Sequence, residues 1–385
     1  MRRVTGRPLS RSLAAAVPGF SPRARTGAPV IGVLPGEGVG PEVMDAALRV
    51  VKTAAAQASV PLEIRTGGLI GAPAKRSSGK ALSDEVADFC ASVFADGGAI
   101  LCGPGGARFV YDLRTRFGLY CKLTPLWPSP SLADAGPLRQ QARSGADIVV
   151  VRENVGGIYL GRWDTCIGPG GETVAIHEFR YGFDEVVRIL DAGIALAGSR
   201  TGRLCVVNKR EGMPSISKLW ESALGERTRS LDLDVRVLDI DNAAYQIVAN
   251  ARAFDVVVAP NMLGDILSDT AALLLGSRGM SFSGNFGDKG LAVYQTGHGA
   301  AHDLAGTGKA NPVGQILSAV MMLRDSFGLD WLAARIEDAV ESTLASGIRT
   351  ADIAAPGGAV VGTREMGDRI AQALAEQMTR RATPA

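Results

Sequence analysis

From residue 30 onward the apolar positions alternate between two periods. Val30-Ile31-Gly32-Val33-Leu34 is short, largely β-branched and closed by Pro35-Gly36, as a buried strand is. Val43, Ala46, Ala47, Val50 and Val51 then recur at helical spacing. Pro41 and Glu42 suit the first turn of that helix, where a missing N–H costs nothing and an acid complements the macrodipole. Further strands are predicted at Ala99 to Cys102, Asp147 to Val151, Leu204 to Val207, Val235 to Ile240 and Asp255 to Ala259. Helical patterns such as Phe183 to Ala197 and Ile216 to Ala223 lie between them. Strands alternating with helices predict an α/β fold with a mostly parallel sheet covered on both faces. Gly168-Pro169-Gly170-Gly171 interrupts a segment of poor helical periodicity and predicts a hairpin or projecting arm.

Residues 1–29 break the pattern. They carry six arginines and no acid among Ser, Ala, Gly and Pro, which fits either a disordered extension or a transit peptide. The first places the protein in the cytoplasm, the second in the mitochondrial matrix. The apolar run Leu13 to Val17 is too short for a secretory signal.

Composition narrows the function. Over 385 residues, 41 Lys+Arg against 39 Asp+Glu give a net charge of +2, which argues against a nucleic-acid partner. No apolar stretch is long enough to span a membrane. The 48 glycines, without a collagen period, fit many tight turns between strands and helices. Five scattered cysteines with no CxxC pair argue against a zinc site or a disulfide framework, and the thiols are expected to be reduced and mostly buried.

Two segments carry candidate chemistry. Gly36-Glu37-Gly38-Val39-Gly40 joins a strand to a helix but reads GxGxG, so it favours a tight turn over a dinucleotide cradle. In Gly264-Asp265-Ile266-Leu267-Ser268-Asp269 the two acids are i and i+4, so both carboxylates leave one helix face. Either a solvated acidic face or a pair of ligands for Mg²⁺ or Mn²⁺ accounts for that spacing.

Taken with its neighbours, the GDILSD block resembles the metal-binding helix of the β-decarboxylating dehydrogenases, the family acting on isopropylmalate, isocitrate, homoisocitrate, tartrate and D-malate. The resemblance runs from Val30 to about Leu374 through blocks in the family's order: PGEGVGPE, the Arg114 helix, VRENVGGIYLG, VVNK, LDIDNAAYQIV, GDILSD and HGAAHDLAGTGKANP. It implies two open α/β domains and a dimerising arm, with residues 30–119 plus 277–385 binding the cofactor and 120–276 binding substrate and metal. It also implies NAD-dependent oxidation of a malate-type 2-hydroxy acid, with loss of CO₂. Asp241, Asp265 and Asp269 match the family's metal carboxylates, Lys209 its base and Tyr159 its proton donor. Lys209 and Asp241 match positions that reach the site from the neighbouring subunit, so a homodimer is expected. His298, Gly299, Ala300, Ala301, Asp303 and Asn311 match the cofactor loop, and Asp303 stands where NAD-using members carry the ribose-binding acid.

The departures bear on the substrate. Arg114 and Arg152 match two of the family's three substrate arginines, but Thr124 replaces the third. Lys122 lies two residues earlier, on the same side of a strand, and is expected to restore the charge as a point cation. Arg108 is a candidate for an additional anionic group, Glu211 adds a negative charge after Lys209, and Glu37 and Gln295 replace the usual aspartate and glutamate. These changes leave open oxidation of a specialised hydroxy acid without decarboxylation. A catalytically silent regulatory subunit is the further alternative.

Overall fold

The computed structural model describes residues 11–22, 27–355 and 357–382, with side chains to residue 379. Its strands are β1 (Val30–Leu34), β2 (Glu63–Thr66), β3 (Ala99–Cys102), β4 (Cys121–Leu126), β5 (Ile148–Glu153), β6 (Trp163–Ile167), β7 (Thr173–His177), β8 (Arg203–Asn208), β9 (Asp234–Asp239), β10 (Val256–Ala259), β11 (Phe282–Phe286) and β12 (Ala292–Thr296). The helices up to the acidic block are α1 (Gly40–Gln57), α2 (Gly71–Ser78), α3 (Asp84–Ala95), α4 (Phe109–Phe117), α5 (Gln140–Arg143), α6 (Phe183–Ser199), α7 (Pro214–Thr228), α8 (Ile240–Ala249) and α9 (Asn261–Ala271). Three more follow, α10 (Val313–Asp325), α11 (Asp330–Ala345) and α12 (Thr363–Ala382). The expected strands and helices are all present, with ends moved by a few residues.

Ten strands form one sheet in the order β2-β1-β3-β12-β11-β4-β5-β10-β8-β9. Residues 30–119 and 277–385 supply the first five and residues 120–276 the last five. Pairing is parallel within each outer part and antiparallel across the centre, at β12–β11, β11–β4 and β4–β5. Strand direction therefore reverses across the centre. Alternate residues serve opposite faces: Ile31 and Val33 join the main core, whereas Val30 and Leu34 join a second core beneath α3 and α4. Burial on both faces explains why these strands read as unbroken apolar runs. The hairpin β6–β7 projects, with Trp163, Ile167 and Ile176 exposed. Among the described residues no helix is long and apolar enough to cross a membrane.

The expected unstructured extension does not hold for residues 11–22. Leu13, Ala14 and Val17 are buried in the main core, the Leu13 amide donates to Asp325 Oδ1 at 3.1 Å, and Phe20 packs edge-on against Phe286 at 5.1 Å. The apolar run that is too short for a signal is a core segment. Residues 1–10 and 23–26 of that stretch lie outside the described residues.

Candidate active site

A cleft of about 350 Å³ opens where the two halves of the sheet meet. Turns following β1, β3 and β12 line one side, and β4, β5 and α9 the other. Crevices beyond strand ends are where open α/β sheets bind ligands, because the connecting turns free side chains and backbone amides there.

The glycine turn after β1 owes its sequence to crowding. Gly38 adopts φ +62°, and a Cβ there would lie 1.9 Å from the Ala300 carbonyl oxygen, which accepts the Val39 amide at 2.8 Å. The turn thus seats the loop after β12. Glu37 is occupied structurally: its carboxylate accepts the amides of Ala72, at 3.0 Å, and Gly106.

Lys122 and Thr124, two apart on β4, both face the cleft, while Cys121 and Leu123 pack into the main core. Lys122 is level with Arg152 on β5, and Arg114 approaches from α4. All four are buried, at 7% exposure for Lys122, 3% for Thr124, 4% for Arg114 and 2% for Arg152. All three nitrogens of Arg152 donate: Nε and Nη2 to Asn261 Oδ1 at 3.0 and 2.7 Å, and Nη1 to Asp265, which leaves two of its five N–H groups for a ligand. Burial, then Arg114 and Arg152, push the Lys122 ammonium down to about 7. Burial and Arg152 push Arg114 down to about 9.

Asp265 and Asp269 leave one face of α9 into the same cleft. Burial would raise Asp265, but Arg152, Lys122, Arg114 and the Tyr159 hydroxyl together hold it below the usual carboxylate range. Asp269 is raised, by burial and by the Asp265 charge, despite Arg278 Nη2 at 2.7 Å. Tyr159 donates its hydroxyl to Asp265 Oδ2 at 3.2 Å, and its ring stacks edgewise on Tyr111 at 5.3 Å. Burial, then Asp265, push that hydroxyl up to about 12, so it holds its proton at neutral pH.

His298, Gly299 and Ala300 line the opposite wall with His302 and Gln295. Ala301 follows with φ +41°. Asp303 is exposed in the next turn, and Asn311 is buried behind the loop, donating to Asp352 at 3.1 Å and accepting from the Val313 amide at 3.0 Å. The i, i+4 histidines are not on a helix, and His298 Nδ1 pairs with the Gly299 carbonyl at 2.9 Å.

Lys209 and Asp241 do not join this cleft within one chain. They form their own pair at 2.7 Å, just past the end of β8 and in the first turn of α8, with the lysine partly exposed and the aspartate exposed. The hydrogen bond to Asp241 raises Lys209, opposite to the direction a base requires. Among the described residues no three His, Cys, Asp or Glu side chains converge, so the expected trio is two carboxylates in the cleft and one outside it.

Arg108 differs from the expected anion ligand. Its guanidinium lies over the rings of Tyr111 and Trp163, at 5.1 and 4.5 Å, and donates to the Tyr159 carbonyl at 3.2 Å. Glu211 is exposed after Lys209. Three residues of the site escaped the sequence analysis: Arg278 and Tyr111, which line the cleft, and Asn261, buried behind Arg152. Asn261 begins the acidic block, but its role as acceptor for Arg152 follows only from the parallel pairing of β5 with β10.

A family model described as isocitrate/isopropylmalate dehydrogenase matches residues 30–370. The chain is 37% identical over 358 residues to the 3-isopropylmalate dehydrogenase of Heyndrickxia coagulans, covering 89% of this chain and 96% of that protein. It is 38% identical over 362 residues to the 3-isopropylmalate dehydrogenase of Desulfitobacterium hafniense, covering 90% and 100%. Among solved structures, isocitrate dehydrogenase from Methylococcus capsulatus superposes with a TM-score of 0.80 at 27% identity, covering 90% of this chain and 99% of that one.

Proposed function

The chain belongs to the isocitrate/isopropylmalate dehydrogenase family and is an NAD-dependent 2-hydroxy-acid dehydrogenase of the decarboxylating type, and we propose that it acts on a malate-type dicarboxylate with a divalent cation in a homodimer. One observation supports this most: buried Arg114 and Arg152 share a cleft with Asp265 and Asp269, and Tyr159 bonds directly to Asp265. Arginines of this kind select carboxylates, and two hard oxygen donors on one helix face suit Mg²⁺ or Mn²⁺.

The residues fit the cation. Asp265 and Asp269 leave one face of α9 into the cleft, two hard oxygen donors of the kind that would coordinate such an ion. Asp265 and Asp269 would hold the ion from one chain and Asp241 from a second copy. When bound, such a cation would supply Lewis acidity to the substrate's hydroxyl oxygen, and NAD⁺ would accept the hydride from the carbon that bears it.

Arg114 and Arg152 hold the substrate carboxylates. Lys209 of the second copy takes the hydroxyl proton, once separated from the Asp241 pairing that raises it here. Tyr159 protonates the carbon that has lost CO₂, a role for which a hydroxyl still protonated at neutral pH is suited. His298, Gly299, Ala300, Ala301 and Asn311 shape the nucleotide wall, and exposed Asp303 accepts from the adenosine ribose. Dimerisation is supported by Tyr245, 71% exposed and one turn from Asp241 on α8, and by Ile266, 49% exposed on the adjoining α9.

The test is a panel of D-malate, tartrate, isopropylmalate, isocitrate and homoisocitrate with Mn²⁺ and either nucleotide, with NADH and CO₂ measured together. Equal release of both from at least one acid is expected. Reduced nucleotide without CO₂ overturns decarboxylation, and a preference for NADP⁺ overturns the role of Asp303.

A further inference from the structure

Lys122 is buried in the middle of the sheet, yet among the described residues it has no hydrogen-bond or ion-pair partner. Asn285 and Arg152 stand level with it on the neighbouring strands. The charged groups facing it are Arg114 from α4, Arg152 from β5, and Asp265 and Asp269 from α9. Both carboxylates are already engaged, Asp265 by Arg152 and Tyr159, Asp269 by Arg278. Two like charges therefore press on an ammonium whose nearby carboxylates, Asp265 and Asp269, are each bonded to an arginine and not to it. Arg114 repeats the pattern, with its Nε buried and unpartnered. A largely buried cation that faces the cleft without a hydrogen-bonded partner opposes folding, so an anion bound in the cleft is the natural counterpart of each.

We propose that Lys122 anchors the second carboxylate of the substrate, and so makes the enzyme selective for dicarboxylic over monocarboxylic 2-hydroxy acids. The inference rests on the malate-type reading above and assigns the group that enforces it. Thr124, on the same face of β4, cannot supply the charge, and a lysine supplies it from two residues away. Lacking a planar fork, the ammonium attracts a carboxylate without fixing its orientation.

The test compares binding of succinate, an unreactive dicarboxylate, with that of propionate, by calorimetry on the full chain. Lys122→Met is expected to weaken succinate binding about 10- to 100-fold, the loss of one charge-assisted contact, and to leave propionate unchanged. The ligand-free variant is expected to melt at a higher temperature than wild type, because the buried charge without a hydrogen-bonded partner is gone. The double variant K122N/T124R, which moves the cation along the same face, should recover most of the succinate affinity. Unchanged succinate affinity in Lys122→Met, or equal weakening of both ligands, overturns the assignment. If wild type oxidises no dicarboxylic hydroxy acid the malate-type reading fails instead, whereas turnover by wild type with unaltered succinate binding in the variant removes only the role of Lys122.

Discussion

In Arg152→Lys a single ammonium must replace a guanidinium that donates twice to Asn261 and once to Asp265. It can reach one acceptor and leaves the other bare. A hydrogen bond to a charged group is worth about 1.5–3 kcal/mol, and an unpartnered buried acceptor adds to the loss. Asp265 is 35% exposed at its side chain and recovers some hydration, so the low end applies, about 2 kcal/mol. Arg152→Met strips both acceptors and should cost about 3–5 kcal/mol, as breaking a buried pair does. Urea denaturation with an unchanged m-value measures both. The pH dependence gives a second readout. Asp265 is depressed in the fold, so its contribution is fully present above the unfolded carboxylate value of about 3.9 and is lost as pH falls through the lower folded value. Arg152→Met should flatten that acid limb. If Arg152→Lys matches wild type in urea midpoint and succinate affinity, the fork geometry is irrelevant and the argument fails.

Tyr159→Phe removes the hydroxyl proposed as proton donor and one 3.2 Å hydrogen bond. Steady-state turnover should drop by about 10²–10⁴ while stability changes by about 1 kcal/mol; turnover within tenfold of wild type would exclude the acid role. Lys209→Met and Asp265→Asn homodimers should each be inactive, but refolding them together should restore about a quarter of the activity, because half the dimers then carry one intact site of two. Failure to complement would mean that each chain builds its site alone. Asp325, raised to about 6 by burial, disfavours its charged form in the fold. Its contribution is fully present below the unfolded value of about 3.9 and is lost as pH rises through 6, so Asp325→Asn should stabilise by up to about 3 kcal/mol at pH 7.5 and by almost nothing at pH 3.5. A stabilisation that is equal at the two values would refute the burial argument.

Local periodicity carried much of this protein in its sequence. Apolar runs of β1, β3, β5, β8 and β10, the i, i+4 acids of α9 and the i, i+2 pair of β4 are legible because a strand or helix fixes side-chain direction over a few residues, whatever the rest of the chain does. The cleft's internal pairings belong to the tertiary structure. Arg152 meets Asn261, and Asp269 meets Arg278, only because β10 lies beside β5 and the chain returns past α9 toward β11. Leu13 to Val17 looked like part of a detached arginine-rich tail, since a five-residue run has too few periods to register, yet the core accepts it. Lys209 and Asp241 mark the opposite limit. The sequence singled them out by resemblance, and the single chain folds them into a separate exposed pair, because no backbone connection within one subunit brings the ends of β8 and β9 to the cleft over β4.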